Sequence, residues 1–527
     1  MRRQKTQKYP DFTAEIEAIE KGGITDALLN RIIKKHEPNA TYNKMLIERY
    51  EALDGAVPIF QREPRFDQNG ESTASEIINN KINNDFFGEI VDFKVGYFAG
   101  NPISYSYSDT REALEDTGDE GDTEEEAQEA RNEASKTITD FTTRSNMFDV
   151  DMETTKFATI CGYSGRLFYI DPDGEERAMP VPPNETIILS KTKDITNPTY
   201  GVRYYTVTDI NDQETVKAEF YDDTTIYYAE GARGSVSIKK KEANLYGACP
   251  LQGIPNNREM LGDAEKVLEL IDAYDRALSD TNNEVDSFAN AYMVYENVNM
   301  TEEEIEKAQR SGAIQFFTGG ANGKVYFLTK DINDGFIEHH LDRLEENIYR
   351  FSKTPNLSDD AFGTASGISL KFKLTGLETK CGMFEAKMIS AGTYMFKLLA
   401  KAWEKKKIKI DPLQCVMEFK RNFPLDLLTE AQAAQALISA GVPKRIAFQI
   451  ALSCIDDVEY VMQEIEKEKD DVPSLLDEDP EEDFVPGQEP GDEEGEPAEQ
   501  GDEEEENFAN PKTKKKVGKN LTKTQSV

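Results

Sequence analysis

Residues 263–290, DAEKVLELIDAYDRALSDTNNEVDSFAN, answered by residues 337–351, IEHHLDRLEENIYRF, decide how this chain folds. In the first stretch Val267, Ile271, Tyr274, Leu278, Thr281, Val285 and Phe288 recur at alternating spacings of four and three, the pattern of a helix packed along a narrow seam. In the second, Ile337, Leu341, Leu344, Ile348 and Phe351 repeat it, with Glu338, Asp342, Glu345 and Glu346 on the remaining positions. At about 1.5 Å per residue the first arm is roughly 40 Å long, so its seam is expected to meet another helix or another subunit. Between the arms, residues 313–318 and 324–329 are rich in β-favouring side chains, and Gly319-Gly320-Ala321-Asn322-Gly323 supplies turn residues, which predicts a hairpin. Thr301 followed by Glu304 predicts the start of a short acidic helix over 301–310.

Outward from this stalk, residues 25–53 predict two helices broken near Pro38, and residues 75–100 predict one helix closed by Gly96, Gly100 and Pro102. A strand follows at 103–107, and residues 134–158 return to helical spacing. From 159 to 247 the period changes to two, with strands expected at 165–170, 176–181, 186–189, 201–209, 215–221, 224–229 and 235–240. Asp171-Pro172-Asp173-Gly174 is the clearest turn; a calcium loop there would need Glu at its twelfth position, which is Pro182. Residues 352–367 read as a loop, 368–407 as a very long helix with Gly376 and Gly382 as candidate kinks, and 415–419 as a strand. A helical hairpin over 429–469 is expected, started by a Thr429/Gln432 capping box and broken at Gly441-Val442-Pro443. The fold class is α+β.

The 527 residues include 100 acidic against 61 basic, a formal net charge of −39, but the excess is local. Residues 470–506 hold 19 acidic residues and no Lys or Arg, and residues 109–133 hold 12 against two Arg. Both are expected to be solvated and mobile, because they bury too little apolar surface to offset the entropy of ordering. Five cysteines without paired or metal-ligand spacing imply no disulfide framework, and no run of eighteen apolar residues or signal-like segment implies neither secretion by a signal nor a membrane span. Residues 319–324 miss the phosphate-loop pattern by one residue, and Val325 stands where it needs Ser or Thr. His339 and His340 are adjacent, without zinc-protease spacing, and His36 is the one other histidine. No cofactor or catalytic residue is expected. Among enzyme readings the runner-up is a nucleic-acid-processing activity using carboxylate-bound magnesium; an acidic chaperone or scaffold is a third.

Three segments carry a resemblance. Asn79-Asn80-Lys81-Ile82-Asn83-Asn84 followed by residues 91–103, then Asp272-Ala273-Tyr274-Asp275 with residues 284–292, then residues 366–374, resemble in order the portal proteins of tailed bacteriophages of the long-noncontractile-tail type. The resemblance implies a portal-type fold: an N-terminal wing (1–255), stem helices (256–293 and 332–352) around a clip (294–331), a channel loop (353–366), a long wing helix with return strands (367–428), a crown (429–469) and a tail (470–527). It implies a ring, usually of about twelve subunits, at one capsid vertex of the virion. Double-stranded DNA would enter and leave through that ring without sequence preference. The implied partners are the terminase large subunit, the major capsid and scaffolding proteins, and a head-completion adaptor, with no membrane.

Carried onto this chain, the channel-loop and DNA-contact set is Lys353, Asn356, Ser358, Lys371 and Lys373, and the clip's docking surface is Glu303, Glu306, Arg310, Phe316 and Phe317. Ile271, Leu278, Leu341, Leu344 and Ile348 would pack the stem. A conduit must repel a duplex that carries one negative charge per roughly 1.7 Å. The acids expected to line it are Asp272, Asp275, Asp280 and Glu284, in a series that also holds Asp263, Glu265, Glu269 and Asp286.

Overall fold

The computed structural model describes residues 3–63, 78–107, 124–289, 292–296, 301, 303, 324–328, 334–356, 367–422, 427–451, 461–462 and 465. The chain divides into two compact units, residues 1–426 and 427–527. In the first unit α1 (Thr13–Gly22) leads into α2 (Asp26–Tyr50), whose start is capped by Thr25 Oγ1 accepting from Leu28 N–H at 3.3 Å. Two helices were expected here, but α2 runs unbroken through Pro38. Its buried face continues on both sides of the proline, through Leu29, Ile32 and His36 and on through Tyr42 and Leu46, so packing outweighs the one lost backbone bond.

Helix α3 (Phe86–Ala99) is shorter than expected. Asp85 ends the preceding non-helical run 78–85: it sits at φ 51° and its carboxylate accepts from Gly88 N–H at 3.2 Å, capping a helix that cannot extend backwards. Strand β1 (Ser104–Tyr107) follows, then α4 (Glu124–Arg144) and α5 (Met147–Cys161), two helices where one was read, separated by Ser145 and Asn146 at φ 47°.

Strands β2 (Tyr163–Ile170), β3 (Glu176–Val181), β4 (Thr186–Leu189), β5 (Tyr200–Thr208), β6 (Glu214–Tyr221), β7 (Thr225–Ala232), β8 (Ser235–Ala243) and β9 (Leu251–Pro255) form the β region. They make two antiparallel sheets, ordered β3-β2-β9 and β4-β5-β6-β7-β8. All but β9 follow the sequence reading. The β2–β3 turn closes as expected, with Gly174 at φ 84° and Asp171 Oδ1 accepting from Asp173 and Glu175 N–H at 3.0 and 2.9 Å. Edge strand β8 is covered at its start by α2, where Asn30 exchanges bonds with Val236 and Asp26 accepts from Ile238 N–H at 2.9 Å; beyond it stand Lys239, Lys240 and Lys241.

Helix α6 (Leu268–Ala289) leads to β10 (Tyr292–Glu296), which pairs antiparallel with β11 (Lys324–Leu328). The expected hairpin joined 324–329 to 313–318; the partner in place is 292–296, and residues 313–318 lie outside those described. Helix α7 (Asp334–Ser352) returns, and α8 (Gly367–Lys405) runs for 39 residues, about 58 Å, through both Gly376 and Gly382. Strand β12 (Cys415–Glu418) pairs with β1. In the second unit α9 (Leu427–Ser439) and α10 (Lys444–Ala451) are separated at Gly441, φ 90°. Thr429 lies inside α9, so the expected capping box does not start it. The acidic segment 108–123 and the tail 466–527 lie outside the described residues. Among those described, no helix is long and apolar enough to cross a membrane.

Candidate functional site

The stalk read from the sequence is the pair α6 and α7. Ile271, Leu344 and Ile348 are buried and Leu278 and Leu341 half-buried, and Ile271 and Ile348 share one core cluster. The seam is filled within one chain. Tyr42 and Leu46 of α2 and Phe86, Phe87 and Val91 of α3 join it, with Phe86 edge-on to Tyr274 and Tyr349 at 4.9 and 5.8 Å. Each fully buried aliphatic side chain contributes roughly 1.5–3 kcal/mol. Toward β10 and β11 the cover runs out: Val285 is 58% and Phe336 68% exposed.

A second face of α6 is polar. Residues 78–85 run antiparallel along it as an extended strap. Asn84 donates from N–H and Nδ2 to Asp275 Oδ1 at 3.1 and 2.8 Å, Ile82 N–H to Ser279 Oγ at 3.0 Å, and Asn80 N–H to Asn283 Oδ1 at 2.8 Å. Asn80 Nδ2 also reaches Asp286 at 2.7 Å. The register follows from geometry: two extended residues advance about 6.6 Å, close to the roughly 6 Å of four helical residues. Alternate strap residues therefore meet every fourth residue of the helix. Two arginines flank the strap, Arg49 to Asp272 at 2.5 Å and Arg62 to Asp280.

This corrects the expected acidic lining. Asp275 is 1% exposed and turned onto the strap; burial pushes its carboxyl up, against the bonds from Asn84. Asp263 and Glu265 are buried as well, Asp263 against Lys94 and Lys380 and Glu265 against Arg3 at 2.7 Å. Asp272 keeps only partial exposure beside Arg49. Glu269, Arg276, Asp280 and Glu284 share the remaining face of α6, all exposed or half-exposed.

At the far end of α7, Lys353 is exposed at φ 59° and Asn356 Nδ2 donates to Glu345 at 2.9 Å. Lys373 is half-buried on α8. Gly376 is a point of close approach: a Cβ there would lie 3.4 Å from that of Lys353. Ser358 and the side chain of Lys371 lie outside the described residues, as do Glu306, Arg310, Phe316 and Phe317; Glu303 is exposed. Among the described residues no three His, Cys, Asp or Glu side chains converge as metal ligands do. Arg49, Arg62, Lys94 and Lys380 were missed by the sequence reading. Their one signal was position, since each lysine falls on the apolar stripe of its helix.

In chain order the structure is a body of helices and antiparallel sheets, a two-helix stem bearing a β pair, a long spine helix and a helical hairpin. The chain matches the family model for phage portal proteins of the SPP1 Gp6-like type over residues 29–473, and it belongs to that family. Among its relatives, the portal protein of Bacillus phage SPP1 is 24% identical over 386 residues, covering 70% of this chain and 71% of the relative. The portal protein of Clostridium phage phiCD119 is 22% identical over 357 residues, covering 63% and 73%.

Proposed function

We propose that copies of this chain close into a ring of about twelve at one vertex of the phage capsid, with the α6–α7 stem around an axial channel for double-stranded DNA. The observation that carries this reading is the family match, which spans stem, spine and helical hairpin in one run of residues. The stem supports it: with one face of α6 packed on α7 and another held by the strap, the third is left for neighbours and the axis. Acids on that third face keep a duplex moving rather than bound, since tight binding needs phosphates neutralised and counterions released. Residues 294–331 dock the terminase motor during packaging and a head-completion protein afterwards, and the body contacts the capsid and scaffolding proteins. The chain acts as a conduit and platform; ATP turnover and DNA cleavage belong to the partner.

Electron micrographs of the purified chain test this. Rings with a central hole wide enough for a duplex are expected. Monodisperse monomers in every condition, or ATP or DNA turnover by the chain alone, would overturn the reading.

A further inference from the structure

Where the stem joins the body, a buried lysine, Lys94, and a largely buried one, Lys380, share one buried carboxylate. Asp263, just ahead of α6, lies 3.3 Å from Lys94 Nζ of α3 and 2.7 Å from Lys380 Nζ of α8. Asn256 completes the group: its Nδ2 donates to Asp263 Oδ1 at 2.7 Å and its Oδ1 accepts from Lys94 at 2.5 Å. One carboxylate does not balance two ammonium groups, and unbalanced buried charge is costly unless other dipoles meet it. Lys94 has the face of Phe384, 5.0 Å from the ring centre. Lys380 has something different. It donates at 2.7 Å to the carbonyl oxygen of Ser352, the last residue of α7.

That carbonyl belongs to the negative end of the helix dipole and has no partner within its own helix. The chain turns at this point. Lys353 adopts a left-handed conformation, Thr354 N–H donates back to Tyr349 at 3.2 Å, and Thr354 and Pro355 are buried. Lys380 thus caps, from a helix that follows in sequence, the end of the stem helix before it, and ties both to the residue that opens the stem. Burial pulls its ammonium toward the neutral form, aided by Lys94, while Asp263 opposes. The charge depends on its acceptors staying in place.

We propose that Lys380 is a positioning residue: it latches the end of the second stem helix, and the chain's exit at residues 353–356, to the spine helix through Asp263, so that a shift of that exit is passed to the spine. The functional half of this inference rests on the channel reading above. Deleting one lysine leaves a one-to-one pair, so Lys380→Met and Lys94→Met are both expected to fold, and only the first loses the bond to Ser352. Amide hydrogen exchange at Lys353, Thr354 and Asn356 should quicken about tenfold or more in Lys380→Met and stay near wild type in Lys94→Met. Packaging with Lys380→Met rings should slow, or packed DNA slip, relative to Lys94→Met.

Unchanged exchange in Lys380→Met, or equal changes in both variants, would overturn the latch. Faster exchange with unaltered packaging would overturn the transmission to the spine. Faster exchange in a protein that forms no rings would uphold the latch and overturn the channel reading, so the two failures separate.

Discussion

His36 shows how far one buried side chain can set the response to pH. Its Nδ1 lies 3.0 Å from Tyr204 Oη and its Nε2 3.1 Å from Tyr163 Oη, linking α2 to both sheets. Burial drives its pKa down to about 3, with a bond to Asn39 opposing. The folded state therefore keeps the ring neutral while the unfolded chain takes up a proton below about 6.5, so this contribution is complete above that pH and is lost as pH falls toward 3. The full swing is up to about 5 kcal/mol. His36→Gln should melt below wild type at pH 8, with the gap narrowing steadily at pH 6 and 5; a gap independent of pH would refute the assignment. Lys353 offers a second test at this scale. Its left-handed backbone costs roughly 1–2 kcal/mol for a residue with a Cβ. Lys353→Gly should raise the unfolding midpoint by a stability increment of about 1 kcal/mol while removing the ammonium from the loop root. Packaging by that variant then reports the charge free of any loss of stability.

Among the elements, the strap and α6 form a unit that a double-mutant cycle can weigh. Asp275→Ala leaves the Asn84 N–H and amide without an acceptor in a buried place and should cost about 1–3 kcal/mol in denaturant unfolding. Asn84→Ala should cost less, and the pair should couple by about 0.5–3 kcal/mol; additive effects would mean that the strap does not hold the stem. The two stem helices and seven of the eight strands in the β region were legible because their signals are local, a seam at spacings of four and three and an alternation of two. The strap was not. Ile78, Ile82 and Phe86 stand at helical spacing, so the run reads as an extension of α3, and only the distant polar stripe on α6 holds it extended. The same distance hid the partner of β11, because the glycine-rich run 319–323 promised a nearer one. Asp275 was misplaced for a related reason: an acid in a sequence does not reveal whether water or a neighbouring segment meets it. Leu344, expected to pack the stem, is buried inside its own chain, so Leu344→Asp would undo the fold before it informed on assembly.

For the whole molecule the question is where the charge lies once the stem is folded. The net charge of −39 exaggerates the charge facing a duplex, since residues 109–133 and 470–506 carry 29 units of the excess and neither segment belongs to the stem. Of the stem acids, Asp263, Glu265 and Asp275 are buried, and Asp272 and Asp280 stand beside arginines. On the channel reading proposed above, the face left for the axis is a sparser ridge of Glu269 and Glu284 interrupted by Arg276, with Asp280 half-exposed beside Arg62. Sparse charge still dominates when a ring repeats it, because each substitution is multiplied by the number of subunits. Replacing Glu269 and Glu284 with Lys reverses the ridge at two exposed or half-exposed positions, and ring mass, measured alongside, should hold. Such rings should retain duplex DNA at low salt, with log affinity falling against log salt at a slope of about −0.9 for each phosphate neutralised, and packaging should slow. Wild-type rings should show no such retention. Reversed rings that bind no more DNA than wild type would place this ridge away from the path of the genome, and the acids that face it would then have to be sought on α7.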